Sequence, residues 1–406
     1  MSETNSTADN SYAALFLDYI NQSLAESLTT VRAVESRLPE EERVQACHIL
    51  DFGLRSAESW ASAKTLTIDL ATYMERSGQW ESWQQLLERA IAATQRLGDT
   101  DHEITLTALL ARLYQRRGDA PAMVRAYRRV IRSARRHNNR FELARGCSNL
   151  GYHFIERGYL WRAELLSYYA LAIFTELQSN HGRAHTHNHL GIVLTRQYEW
   201  AKAEEHLLAA CTIWQKSQDQ YGLMRGHGNL SFLYNETPNY GEAIAHATIA
   251  LELAEASGEE PLIGNFASNL SFSYLKLGNI PKAKEFADLA ERILKKYTDR
   301  SGLARLAHTK ALFEIHENNY LQARTHIHDA LNTLENYSLI QVKLTKLELE
   351  IRLQNYTVAK QELSELETWI TKHLAGNAWQ IYTDRLTKHR LYLERALPKS
   401  HAIERR

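Results

Sequence analysis

The residues best equipped for chemistry crowd into one stretch, GRAHTHNHLG, from Gly182 to Gly191. Imidazole is a common metal ligand and carries protons near neutral pH, so His185, His187 and His189 raise the question of a metal or catalytic site. On a helix His185 and His189 share a face, whereas His187 points elsewhere, so the alternating triplet is not a three-ligand set. A His-x3-His pair is a legitimate zinc spacing, yet no Glu forms HExxH with it and no third ligand stands out. No metal and no cofactor are expected. Signatures of catalysis are missing as well: the sequence has no GxSxG, no Walker loop and no GxGxxG after a strand. Cys47, Cys147 and Cys211 lie far apart without a CxxC pair, which argues for a reducing compartment and against a disulfide framework or zinc module. An enzyme is not expected.

The elements that would carry those histidines repeat along the chain. CSNLGYHFIERGYLWRA begins at Cys147, HNHLGIVLTRQYEWAKA at His187, HGNLSFLYNETPNYGEA at His227 and ASNLSFSYLKLGNIPKA at Ala267, a constant period of forty. A leucine column runs Leu70, Leu110, Leu150, Leu190, Leu230, Leu270. A turn column runs Gly78, Gly118, Gly158, Tyr198, Pro238, Gly278, Asn318. Small residues follow at Ala163, Ala203, Ala243, Ala283, Ala323, and again at Ala90, Val130, Ala170, Ala210, Ala250, Ala290, Ala330. Each unit therefore predicts helix, short turn, helix, short turn. Leucine and an aromatic four apart mark one face of the first helix, and alanines seven apart let the second approach closely. One such pair cannot bury its own apolar face, so the units must stack. A contraction near residue 340 leaves one weaker unit with Tyr356 and Ala359 in register.

This pattern resembles the tetratricopeptide (TPR) repeat, in the long-period form found in kinesin light chains, spindle-orientation adaptors, bacterial peptide sensors and the sensor tails of NTPase regulators. The resemblance implies an all-α, right-handed superhelix of about eight helix pairs over 60–375. Residues 11–59 read as a helical cap or degenerate repeat and 376–397 as a capping helix, with tails at 1–10 and 398–406 expected to be disordered. It also implies a concave groove lined by the first helices. The residue before the leucine column would face that groove: Asp69, Leu109, Asn149, His189, Asn229, Asn269, Thr309. One turn earlier stand Thr65, Thr105, Arg145, His185, Arg225, Asn265, Arg305. Asparagine can donate to and accept from a peptide backbone, and arginine offers a fork of donors to carboxylates. Tyr152, Ile192, Phe232, Phe272 and Leu312 would supply apolar sockets beside them. The expected partner is thus a protein or peptide with an extended, partly acidic segment, and His185 and His189 would strengthen as donors when pH falls through about 6.5. Against this, each Asn could simply bond a neighbouring helix.

Two other readings stay open. One is a sensor or regulatory subunit of a bacterial signalling or defence assembly, peptide-pheromone sensing included. The other is nucleic-acid association through AYRRVIRSARRHNNR, where Arg125, Arg128, Arg129, Arg132, Arg135 and Arg136 step three and four apart along one helix face. A solvated helix back is the favoured account of that stripe, because Lys+Arg and Asp+Glu balance at 48 each and only Tyr127 interleaves it. The polar, acidic N-terminus lacks a signal-peptide pattern and no run approaches a membrane span, so a cytoplasmic protein is expected.

Overall fold

A computed structural model describes residues 3–34, 38–334, 337–374 and 376–396. Among these residues there are 19 helices and no strand. α1 (Glu3–Ala33) and α2 (Glu40–Gly53) come first, so a helix begins inside the stretch expected as a tail. The tail expected at 398–406 lies outside the described residues.

Eight helix pairs follow, as the repeat predicts. They are α3 (Trp60–Arg76) with α4 (Trp80–Leu97), α5 (Thr100–Arg116) with α6 (Ala120–Arg136), and α7 (Arg140–Glu156) with α8 (Leu160–Glu176). Next come α9 (Asn180–Arg196) with α10 (Trp200–Lys216), α11 (Gln220–Glu236) with α12 (Tyr240–Ser257), and α13 (Glu260–Lys276) with α14 (Ile280–Lys296). α15 (Arg300–His316) with α16 (Tyr320–Leu331) and α17 (Tyr337–Arg352) with α18 (Tyr356–His373) complete the set, and α19 (Gly376–Ala396) ends it. From Trp60 to Tyr320 the helix starts are evenly spaced, half a repeat apart; the register slips at Tyr337 and again, slightly, at Tyr356.

Local chemistry sets these boundaries. Gly78, Gly118, Gly158 and Gly278 end their helices with φ between 74° and 78°, a region that costs a residue without a Cβ little. Asp99, Asp119, Ser179, Asp219 and Asp299 accept from the backbone N–H three residues on and so cap the next helix. The small-residue columns are the packing seam: Ala163, Ala203, Ala243, Ala283 and Ala323 are all fully buried, as are Ala170, Ala210, Ala250, Ala290 and Ala330. A Cβ added to Gly191 would lie 2.4 Å from Leu207 Cγ, so the second helix can sit this close only against glycine.

The chain divides into two compact units, residues 1–150 and 151–406. In the first, α1 packs beside α3, where Arg32 pairs with Asp69 at 2.7 Å and the Tyr73 hydroxyl donates to the Val34 carbonyl at 2.8 Å. In the second, successive pairs stack from α8 to α18, and α19 reaches back to the α9–α10 turn. There the Tyr198 hydroxyl donates to the Tyr382 oxygen at 2.7 Å, and Asn377 Nδ2 donates to Glu199 Oε1 at 3.0 Å. No helix among the described residues is long and apolar enough to cross a membrane.

A candidate ligand cavity

Within the second unit, the first helices of the last repeats and the end helix enclose a cavity of about 300 Å³. Its walls come from α11, α13, α15, α17 and α19. Of the residues singled out from sequence, Phe232, Asn269, Phe272, Arg305, Thr309 and Leu312 line it. Phe232, Phe272 and Leu312 form an apolar flank, while Lys276, Arg305 and Arg385 bring cations and Glu236 and Glu348 bring acids.

The polar groups differ in how far they are already committed. Arg305 donates to Asn265 Oδ1 at 2.5 Å and to Ser301 Oγ at 3.0 Å, so Asn265 orients the arginine rather than facing the cavity. Arg385 pairs with Glu348 at 2.8 Å. Lys276 has no direct ion pair among the described residues; its ammonium stands 5.2 Å from the Phe272 ring centroid, and burial lowers its pKa against the pull of Glu348. The Asn269 carbonyl receives Ser273 Oγ at 2.8 Å, whereas its side-chain amide has no partner among the described residues. His308 Nε2 lies 2.8 Å from Thr345 Oγ1, and burial with Lys276 and Arg385 nearby holds its pKa down to about 4.

The remaining expected residues stand elsewhere. In the first unit, Arg145 pairs with Glu142 at 2.8 Å on its own helix, and the half-buried Asn149 is beside Tyr127. In the second, Asn229 Nδ2 donates to Asn188 Oδ1 at 2.8 Å, the helix-to-helix bond that a structural asparagine would make. His189 is 6% exposed with its ring 4.9 Å from that of Tyr152, and Arg225 lies near His185 and Tyr152 with no direct ion pair among the described residues. The expectation that His185 becomes a stronger donor below about 6.5 is corrected: burial, His181 and Arg225 hold its pKa down to about 3, so it stays neutral. His187 points to packing as expected, toward His206, with Nδ1 atoms 2.8 Å apart. His227 and His246 repeat that pair in the next unit, again at 2.8 Å.

Asn235, Lys276, His308, Glu348 and Arg385 were not foreseen. Asn235 occupies a repeat position whose other members show no shared chemistry, and the column of Lys276 mixes signs: Arg116, Glu156, Arg196 and Glu236. Glu348 and Arg385 lie beyond the slip in register, where no column predicts which way a side chain faces. A signal for His308 does exist: it breaks a column of short, uncharged residues, Ser148, Asn188, Gly228 and Ser268.

Comparison with solved structures confirms the architecture. The crystal structure of a Rap protein complexed with competence and sporulation factor matches with a TM-score of 0.56 at 14% identity, over 94% of this chain and 99% of that one. The fold is that of a tetratricopeptide-repeat protein. NprR in complex with its cognate peptide NprX shares the same repeat fold (TM-score 0.54, 14% identity, 75% of this chain and 91% of that one). Aspartyl phosphate phosphatase F from Bacillus subtilis does so too (TM-score 0.55, 12% identity, 86% and 93%). At such identities the likeness speaks for the TPR fold alone. No protein-family model matches the sequence, and no curated protein is similar to it in sequence.

Proposed function

We propose that the chain is a non-enzymatic, cytoplasmic regulatory scaffold that holds an extended, partly acidic peptide or protein segment in the second unit. The observation that carries this reading is the cavity beneath α19. It joins an uncommitted amide at Asn269, an unpaired ammonium at Lys276 and an oriented guanidinium at Arg305 to an aromatic flank. An amide that can donate and accept suits a peptide backbone, and fixed cations suit carboxylates. Concave, partly apolar cavities with a few converging polar groups are the usual form of ligand sites. The Rap and NprR structures, by their own descriptions, hold a competence factor and a cognate peptide. That favours the sensor or regulatory version of this role over a static scaffold.

Fluorescence anisotropy with extended peptides matched in length and differing in acidic content tests the reading on the full chain. Acidic peptides should bind, and Asn269→Ala together with Lys276→Gln should abolish that binding without altering the melting curve. Equal affinity for neutral peptides removes the acidic specificity, and retention of binding in the double variant removes the cavity as the site.

A further inference from the structure

We propose that His181, His185 and Asp219 form a site for a borderline-soft divalent metal ion, zinc being the representative case. The sequence pairs His185 with His189 and finds no third ligand. Folding makes a different selection. His181 and His185 stand four apart at the start of α9, with ring centroids 4.4 Å apart, and the turn before α11 brings Asp219 to them. One donor atom from each residue lies within 4.8 Å of the other two. Zinc holds N and O ligands at about 2.0–2.2 Å, which puts neighbouring donors roughly 3.4 Å apart. Drawing the donors in to that spacing takes side-chain adjustment, for which the exposed ring of His181 has room.

Two of the three ligands are already oriented. The His185 ring stands edge-on to the fully buried Trp214, 5.4 Å between centroids. Asp219 Oδ1 is held by the Gly222 N–H at 2.8 Å. That leaves Oδ2 for an ion. Orientation by packing and by an outer hydrogen bond is what fixes metal ligands elsewhere. In the other repeats the corresponding columns read Phe141, Arg145, Ser179; Tyr221, Arg225, Glu259; and Pro261, Asn265, Asp299, so this set arises once.

The surroundings also choose the metal. Arg225 acts electrostatically on His185, and the donors sit at the N-terminal ends of α9 and α11, where helix dipoles disfavour a cation. An ion held by charge alone on oxygen ligands, Mg²⁺ or Ca²⁺, is rejected there. Zn²⁺, Co²⁺ or Ni²⁺, which gain from bonding to imidazole nitrogen, are not. With three protein ligands the ion keeps an open position, where a carboxylate of a bound partner could coordinate next to Arg225.

Competition with a chromophoric zinc chelator, using the full untagged chain, tests the site. The expected result is one zinc bound per chain, unaffected by millimolar Mg²⁺ or Ca²⁺ and weakened at least about tenfold by His181→Ala or Asp219→Asn. Asn preserves the cap on α11, and His181 is exposed, so both variants should melt like the wild type without zinc. Zinc should then raise the melting temperature of the wild type alone. His187→Ala serves as the control and should leave affinity unchanged. No saturable binding, or binding that survives both ligand variants, overturns the proposal.

Discussion

Asn229 and Asn269 occupy one column of the repeat, and the residue scale separates them. Asn229 ties α11 to α9 through Asn188, whereas the Asn269 amide is uncommitted. Asn229→Ala should therefore cost about 1 kcal/mol of stability, the usual worth of one hydrogen bond, measurable in urea melts. Asn269→Ala should leave the melt unchanged and act only on ligand binding. Histidines carry a second prediction. His187 and His227 are held down to about 4 by burial and by their partners His206 and His246, and His308 also to about 4. A folded-state pKa below the unfolded value of about 6.5 means the unfolded chain takes up protons first. The stability these groups contribute is thus complete above about pH 6.5 and lost as pH falls toward 4. Melting temperature followed between pH 7 and 4 should drop, and His187→Gln with His227→Gln should flatten the decline.

At the scale of the helix pair, packing leaves no slack. Ala203 and Ala243 are fully buried where second helices meet first ones, and adding side-chain volume there forces the backbones apart. Ala243→Leu should destabilise the protein by about 1–3 kcal/mol, read from chemical denaturation. This is also the scale at which the sequence is most readable. The period, the pair count and the buried small columns all follow from side-chain volume at fixed intervals, which any stack of helices must respect. Site chemistry is less legible because it depends on contacts that the period does not encode. Asn265 turns to Arg305, Asn229 to Asn188, and Asp219 comes within 4.8 Å of His185 from the turn that opens the following repeat. The loss of register at Tyr337 then removes any basis for reading Glu348 or Arg385 from a column.

At the scale of the chain, Tyr198 is the residue that breaks its own column for a distant reason. It takes φ 64° where most repeats use glycine, a conformation costing a side chain about 1 kcal/mol. In return its ring meets Tyr382 edge-on at 5.4 Å, and its hydroxyl shares the Tyr382 oxygen with Gln341 Nε2. Tyr198→Phe keeps the ring and removes the donor. It should raise hydrogen–deuterium exchange in α19 while leaving α11–α14 protected, with about 1 kcal/mol lost overall. A stack of repeats touching only nearest neighbours unfolds as a row, its ends fraying independently of its middle. The tyrosine pair joins positions 184 residues apart and turns that row into a closed loop. The last repeats therefore cannot melt without disturbing the one at Tyr198. The second unit should unfold as a single cooperative step, and its folding must wait for the slow closure of that long loop.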